Sequence, residues 1–426
     1  MLMAPRVVLL MSIAIVAPLP IGRAQVIEQA VLAAQDGTAG SAFGSALAIE
    51  GDRIVVGAPD DDEQAPDAGA VYVFERRLHF GWVEVAKLTA THPVSGGHFG
   101  RSLSLSGDRV LIGAWDPLGD PHLGRAYVFE LSAARTWEAV AELEPGDGAQ
   151  GLGGNFAIDV ALDGDRALIG AQEAYVTGGA GYVFDRAASG AWLQTAKLSP
   201  PTVVGIGLTG SSVALEGNVV LLGSPWDDDP AGCVHTGSVV VFERDPHGSW
   251  VETQEIHSSE DLCGGTLGDA LALDGNRALV GCLGDDAFGS YSGSAYIFQR
   301  DSSGIWHQAA KLVAPDANEH DFFGGGALSR DWALVRSAKY YESHEPGKAY
   351  LYHRQPHGDW PLAAEIGASG DIASESFGGV VAMWENRAVI GAPTGDGAAP
   401  ITGIAYVFEF GPATDEDASA VEPESR

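Results

Sequence analysis

Three acidic runs carry the most conspicuous chemistry in the chain: Asp60-Asp61-Asp62-Glu63, Asp227-Asp228-Asp229 and Asp285-Asp286. Clustered carboxylate oxygens are what a hard cation such as Ca2+ selects. These aspartates are contiguous, whereas a ligand loop spaces its donors at alternate positions, so a solvated acidic rim is the competing expectation. Asp116 and Asp120 belong to a comparable loop. Trp115 and Trp226 lie in the same class of loop, where an exposed indole can stack on a sugar or a peptide. Of the three cysteines, Cys233 and Cys263 fall in neighbouring loops and form the favoured disulfide. Cys282 is then left as a small buried residue, although a Cys263–Cys282 pairing stays open.

The usual signatures of catalysis are missing. The chain has no Gly-x-Ser-x-Gly elbow and no His-Glu-x-x-His zinc helix. His98, Asp269, His320 and Asp321 sit where a closed repeat fold would place them near a central channel, so a channel-mouth active site is the enzymatic alternative. The residues at hand point first to a binding surface and not to an enzyme.

Such loops need a frame, and the frame is an internal repeat. Phe43-Gly44, Gly51-Asp52-Arg53, Gly57-Ala58-Pro59, Tyr72-Val73-Phe74 and Trp82 recur as Phe99-Gly100, Gly107-Asp108-Arg109, Ile112-Gly113-Ala114, Tyr127-Val128-Phe129 and Trp137. Five further copies follow. The fourth and sixth are the most worn, and the seventh restores Phe377-Gly378, Gly391-Ala392-Pro393 and Tyr406-Val407-Phe408. Equivalent landmarks are about 53 to 58 residues apart. In five copies a Gly-Asp or Gly-Asn pair marks a two-residue hairpin, and the run after it, such as Ile54-Val55-Val56, suits a strand covered on both faces. Four antiparallel strands per copy predict an all-β, seven-bladed β-propeller.

The two ends of the chain predict how the ring closes. The seventh copy stops after Phe408-Glu409-Phe410 without its Trp strand, while Gln29-Ala30-Val31-Leu32-Ala33 is an orphan that resembles Thr195-Ala196-Lys197-Leu198. The N-terminal segment is expected to complete the last blade, burying Val31 and Leu32 and removing two open sheet edges. Three regions result: a signal peptide over 1–24, the propeller over 25–410 and an acidic disordered tail over 411–426. The leader is read from Arg6, the apolar run Val7–Ala17 and the small residues around Arg23.

The pairing of Phe-Gly with Gly-Ala-Pro resembles the FG-GAP repeat of the integrin α-chain N-terminal propeller and its exported bacterial relatives. That resemblance implies a calcium loop between the first two strands of some blades. Here those positions are bare turns at Gly51-Asp52, Gly107-Asp108, Gly164-Asp165, Gly217-Asn218 and Gly275-Asn276, so the family's calcium sites do not carry over.

Bulk properties narrow the partners. A formal net charge of −33 repels phosphate backbones and anionic lipid heads, which argues against nucleic acid and membrane surfaces. The expectation is a monomeric, non-catalytic adhesion or binding scaffold. It would be secreted, periplasmic or cell-surface, and would hold an extracellular protein or glycan through the loops of one face. The alternative is a secreted hydrolase or lyase working at the channel mouth.

Overall fold

The computed structural model describes residues 24–115, 124–147, 154–173, 178–201, 207–228, 232–260, 263–338, 347–368, 376–394 and 402–412. The expected signal peptide (1–24, all but its last residue), Asp116, Asp120, Asp229 and the tail beyond Pro412 lie outside those residues. Among the described residues, 28 strands form seven four-stranded antiparallel sheets, and no helix is long and apolar enough to cross a membrane. Blades 1 to 6 are each built from four consecutive strands, over 46–88, 99–143, 154–198, 213–256, 267–312 and 323–366.

Blade 7 is composite. Its sheet order places the N-terminal strand Ala24–Leu32 beside the C-terminal strand Ile404–Pro412, followed by Arg387–Ala392 and Val380–Trp384. The N-terminal strand is a true fourth strand by register. In every other blade the third and fourth strands slip by one residue at the same point, for example between Val73 and Phe74, and Ala24–Leu32 shows that slip between Glu28 and Ala30. Leu32 takes the place of Leu88, Leu143 and Leu198, and is buried with Ala24. Val31 departs from expectation: it lies opposite Tyr406, at the position Lys87 holds opposite Tyr72, and is 50% exposed.

The core lies between blades. Ile54 and Val56 pack towards Val389 and Val407 of blade 7, while Val55, Val71 and Val73 pack towards Val110 and Ile112 of blade 2. Strand residues of alternating direction thus serve two neighbours, which explains the unbroken apolar runs. Each Phe of the Phe-Gly pair meets the third-strand tyrosine edge-on, as in Phe43–Tyr72 at 5.5 Å and Phe377–Tyr406 at 5.2 Å. The repeated tryptophans pack in these same layers, Trp192, Trp306 and Trp360 being buried.

Two devices set the blade spacing. The first is a glycine immediately before each third strand: Gly69, Gly124, Gly179, Gly237, Gly293, Gly347 and Gly403. A Cβ at any of them would overlap the carbonyl oxygen that opens the next blade, from Phe99 around to Phe43. The residue before the glycine accepts that blade's first N–H, as in Phe99 N to Ala68 O (3.0 Å) and Phe43 N to Thr402 O (3.0 Å). The second is an arginine clamp. Nη1 of Arg53, Arg109, Arg166 and Arg387 donates to the turn carbonyl of the following blade, at Gly107 (2.6 Å), Gly164 (3.1 Å), Gly217 (2.6 Å) and Gly51 (2.8 Å). Arg277 does the same to Arg330 (2.5 Å). The Gly-Asp-Arg motif is therefore a hairpin and a blade-to-blade strut in one.

Close approach can be separated from backbone conformation. Gly403 (φ +86°) abuts Phe43, whereas Gly51 (φ +58°) faces open space. Gly403→Ala is expected to cost about 2–4 kcal/mol and Gly51→Ala only about 1 kcal/mol, as measured by denaturant unfolding. Equal losses would contradict a steric role for the pre-strand glycine.

Candidate functional site

The acidic loops of blades 1, 4 and 5 share one architecture. Their first carboxylate (Asp61, Asp227, Asp285) is buried. The second reaches across the loop to a backbone N–H: Asp62 Oδ1 accepts from Asp67 N (2.8 Å), Asp228 Oδ1 from His235 N (2.9 Å) and Asp286 Oδ1 from Tyr291 N (2.7 Å). Asp67, His235 and Tyr291 all have left-handed φ of 52° to 53°. The contiguity of these aspartates thus has a structural cause, since neighbouring carboxylates fold the loop from inside. Asp60 adds a bond to His98 Nδ1 (2.9 Å).

In blades 1 and 5 the buried carboxylate meets a lysine from the fourth strand. Lys87 Nζ donates to Asp61 (3.1 Å), Asp36 (3.0 Å) and Glu63 (2.7 Å), with the Tyr72 hydroxyl 3.0 Å from Asp61. Lys311 Nζ donates to Asp285 (2.8 Å) and Glu260 (2.6 Å), and Ser294 also donates to Asp285 (2.6 Å). Lys197 pairs with Asp147 in blade 3 from the same fourth-strand position, as Lys87 does with Asp36, and in blade 6 Lys348, the first residue of the third strand, pairs with Asp316. Burial pushes Asp36 and Asp285 upward, but the neighbouring ammonium and hydroxyl groups outweigh it and hold both below the usual carboxylate range. Among the described residues no three His, Cys, Asp or Glu side chains converge as metal ligands. In the loops of blades 1 and 5 the expected rim of free carboxylates is thus largely an internal ion-pair layer, whereas blade 4 carries Glu255 where those blades carry the lysine.

The two loop tryptophans diverge. Trp115 is half-buried, its Nε1 donating to Asn155 Oδ1 (3.0 Å) and its ring 5.7 Å from the Arg101 guanidinium. Trp226 is 41% exposed and stacks on His235 at 5.0 Å. Beside it, Cys233 and Cys263 form a disulfide with Cα atoms 5.2 Å apart, and Cys282 is free and buried. The bridge ties the blade 4 loop to the connection into blade 5, and the bond from Gly264 N to Val234 O (3.0 Å) reinforces it.

Sequence patterns do not single out the aromatic residues that continue this surface. Phe288 and Tyr291 project from the blade 5 loop, 54% and 47% exposed. Tyr291 stands 5.5 Å from Phe322 and 6.1 Å from His320, and its carbonyl accepts from Phe322 N (3.0 Å). Trp226 and Val234 are thus exposed on the blade 4 loop and Phe288 and Tyr291 on the blade 5 loop; the two loops meet through Gly264, which bonds Val234 and abuts Gly284, and Tyr291 reaches the connection into blade 6. Spacing could not reveal this arrangement, because Tyr291 and Phe322 lie 31 positions apart and meet only through the blade geometry. The catalytic candidates are dispersed: His98 bonds Asp60, Asp321 Oδ2 accepts from Asn318 N (2.9 Å), and His320 joins the aromatic row.

Asp159 and Asp269 are raised instead, both to about 6, by burial against the backbone and hydroxyl bonds that oppose it. The pH dependence of stability therefore has two limbs. Asp36, Asp147, Asp285 and Asp316 have folded values below 3.8, so their contribution is complete above that value and lost as the pH falls through the lowered ones. Asp159 and Asp269 contribute fully below 3.8, and that contribution is lost as the pH rises through about 6. Thermal unfolding should show maximum stability between about pH 4 and 6, with Asp269→Asn flattening the upper limb. A maximum at pH 8 would contradict this assignment.

The FG-GAP repeat family matches residues 26–74, 82–129, 250–298, 306–352 and 360–408. The matched unit runs from a fourth strand into the next blade, and its first copy begins inside the N-terminal strand, in phase with the closure of blade 7. No curated protein matches the chain. Among solved structures, the periplasmic gluconolactonase PpgL of Pseudomonas aeruginosa is similar at 16% identity and a TM-score of 0.50, over 76% of this chain and 84% of that one. A protein from Lactobacillus plantarum is similar at 15% identity and a TM-score of 0.49, over 83% and 99%. At 16% identity the likeness to PpgL is one of fold.

Proposed function

Because the chain belongs to the FG-GAP repeat family and closes as a seven-bladed propeller, we propose that it is an exported recognition scaffold, holding an extracellular protein or glycan on the loop face of blades 4 to 6. The observation that carries this reading is the exposure of Trp226, Val234, Phe288 and Tyr291. Large apolar side chains grouped on otherwise charged loops are costly in water and are characteristic of contact surfaces. The loops that carry these residues are stiffly held, by a disulfide in blade 4, by carboxylate bonds across both loops and by stacked rings at the connection into blade 6. Pre-set loops lose little entropy on binding, so such a surface suits recognition. Export accords with the leader-like start and with a disulfide, which persists in oxidising compartments.

A hydrolase or lyase site at the channel mouth is the weaker reading. His98 and Asp321, which it would employ, are both engaged in loop bonds. Gluconolactonase activity is a property of the Pseudomonas aeruginosa protein, with which this chain shares the fold at 16% identity.

The test is a glycan array and a pull-down from extracellular extracts with the purified propeller. Trp226→Ala and Tyr291→Ala should each lower affinity at least about tenfold without shifting the melt, while Trp82→Ala should lower the melt. Retention of all binding by the Trp226→Ala/Tyr291→Ala double variant would refute the reading.

A further inference from the structure

One blade breaks the repeat in a way that stability alone does not explain. In six blades the second strand carries a glycine at one inner position: Gly57, Gly113, Gly170, Gly223, Gly281 and Gly391. Blade 6 has Arg336 there. Its guanidinium lies over Gly325, where a Cβ would overlap Nε, and Gly325 sits between Gly324 and Gly326 on the innermost strand of that blade. Gly325 thus makes room for the arginine, while a Cβ at Gly324 or Gly326 would meet the neighbouring backbone of Ser294 or Leu334 instead. Arg336 is partly buried and keeps some solvent exposure.

The charged neighbour of Arg336 among the described residues is Asp269, at the blade 5 position that matches Gly325. The two are not in ion-pair contact. Asp269 instead accepts from the Thr266 hydroxyl, and that hydroxyl also receives Gly284 N (3.2 Å). Burial lowers the Arg336 pKa and raises that of Asp269, so each charge is held in a setting that a direct pair would have relieved. A planar fork of N–H donors and a carboxylate acceptor are therefore neighbours where blades 5 and 6 meet. Along the chain, Phe322 is three residues before Gly325, and Thr266 is three after Cys263.

We propose that Arg336 and Asp269 form a hydroxyl-reading subsite for a neutral oligosaccharide, whose sugar rings lie along Tyr291 and Phe322. The inference rests on the loop-face reading above and narrows its ligand to one class. Adjacent sugar hydroxyls donate to a carboxylate and accept from a guanidinium, and aromatic faces take the apolar side of the ring. The acidity of the whole chain disfavours a polyanion, so the neutral class fits better than an acidic one.

The experiment is calorimetric titration of the full chain with neutral hexose and pentose hexasaccharides, with oligogalacturonate as the acidic comparator. Arg336→Gly is the key variant, because it installs the residue the other six blades carry and should fold. Wild type should bind a neutral oligosaccharide, and Arg336→Gly and Asp269→Asn should each weaken it about tenfold or more with the far-ultraviolet spectrum unchanged. Full affinity in Arg336→Gly, a preference for oligogalacturonate, or no binding to any neutral sugar would each overturn the subsite. The broader reading is judged separately: loss of a protein partner in Trp226→Ala but not in Arg336→Gly would keep the loop face and discard the subsite.

Discussion

The molecule depends on how closely one sheet can approach the next. Seven glycines, each just ahead of a third strand, let the opening carbonyl of the following blade come within a distance that any side chain would forbid. That approach aligns the two backbones for a hydrogen bond and brings the Phe-Gly aromatic edge-on to the tyrosine beside it. The apolar layers between blades and the arginine struts at the opposite face then act across an already fixed gap. Because the same contact recurs at Gly403 with Phe43, the last junction is built like the other six, and closure requires no special element.

Much of this is legible in the chain. Seven copies, four strands per copy and the exchange between the two ends follow from spacing, and the structure bears out the propeller and its composite seventh blade. The pre-strand glycine is more constant than Phe-Gly or Gly-Ala-Pro, yet it is hard to notice because it sits at the end of loops that vary in length. Blades 4 and 5 open with Thr209-Gly210 and Leu267-Gly268, which keep the geometry of the Phe-Gly step after losing its aromatic. Val31 misleads because its apolar type suggests burial, whereas its register puts it where the other blades place a charged side chain, lysine in blades 1, 3 and 5 and glutamate in blades 2, 4 and 6.

The site is less legible, for a physical reason. A row of aspartates reads as a cation site or a solvated rim. What decides is whether lysines from the fourth strand reach them, and Lys87 and Lys311 do so from 26 residues away in sequence. Likewise the aromatic row of Tyr291, His320 and Phe322 joins two segments that only the blade geometry brings together. The departures from the repeat, such as Arg336 among glycines and the disulfide in blade 4, concentrate in blades 4 to 6. A ring whose framework contacts repeat at each junction can vary its loops locally, and this is where recognition would be written.

Native-state hydrogen exchange on the amides of Ala24–Leu32 is the most direct test that all seven junctions are equivalent and the ring is one cooperative unit. Val26 and Leu32 should exchange only through global unfolding, with the same free energy as Val55 and Val73 in blade 1. Exchange of the N-terminal strand at a much lower free energy, with the other blades still protected, would mean that the ring is latched loosely and would contradict the account.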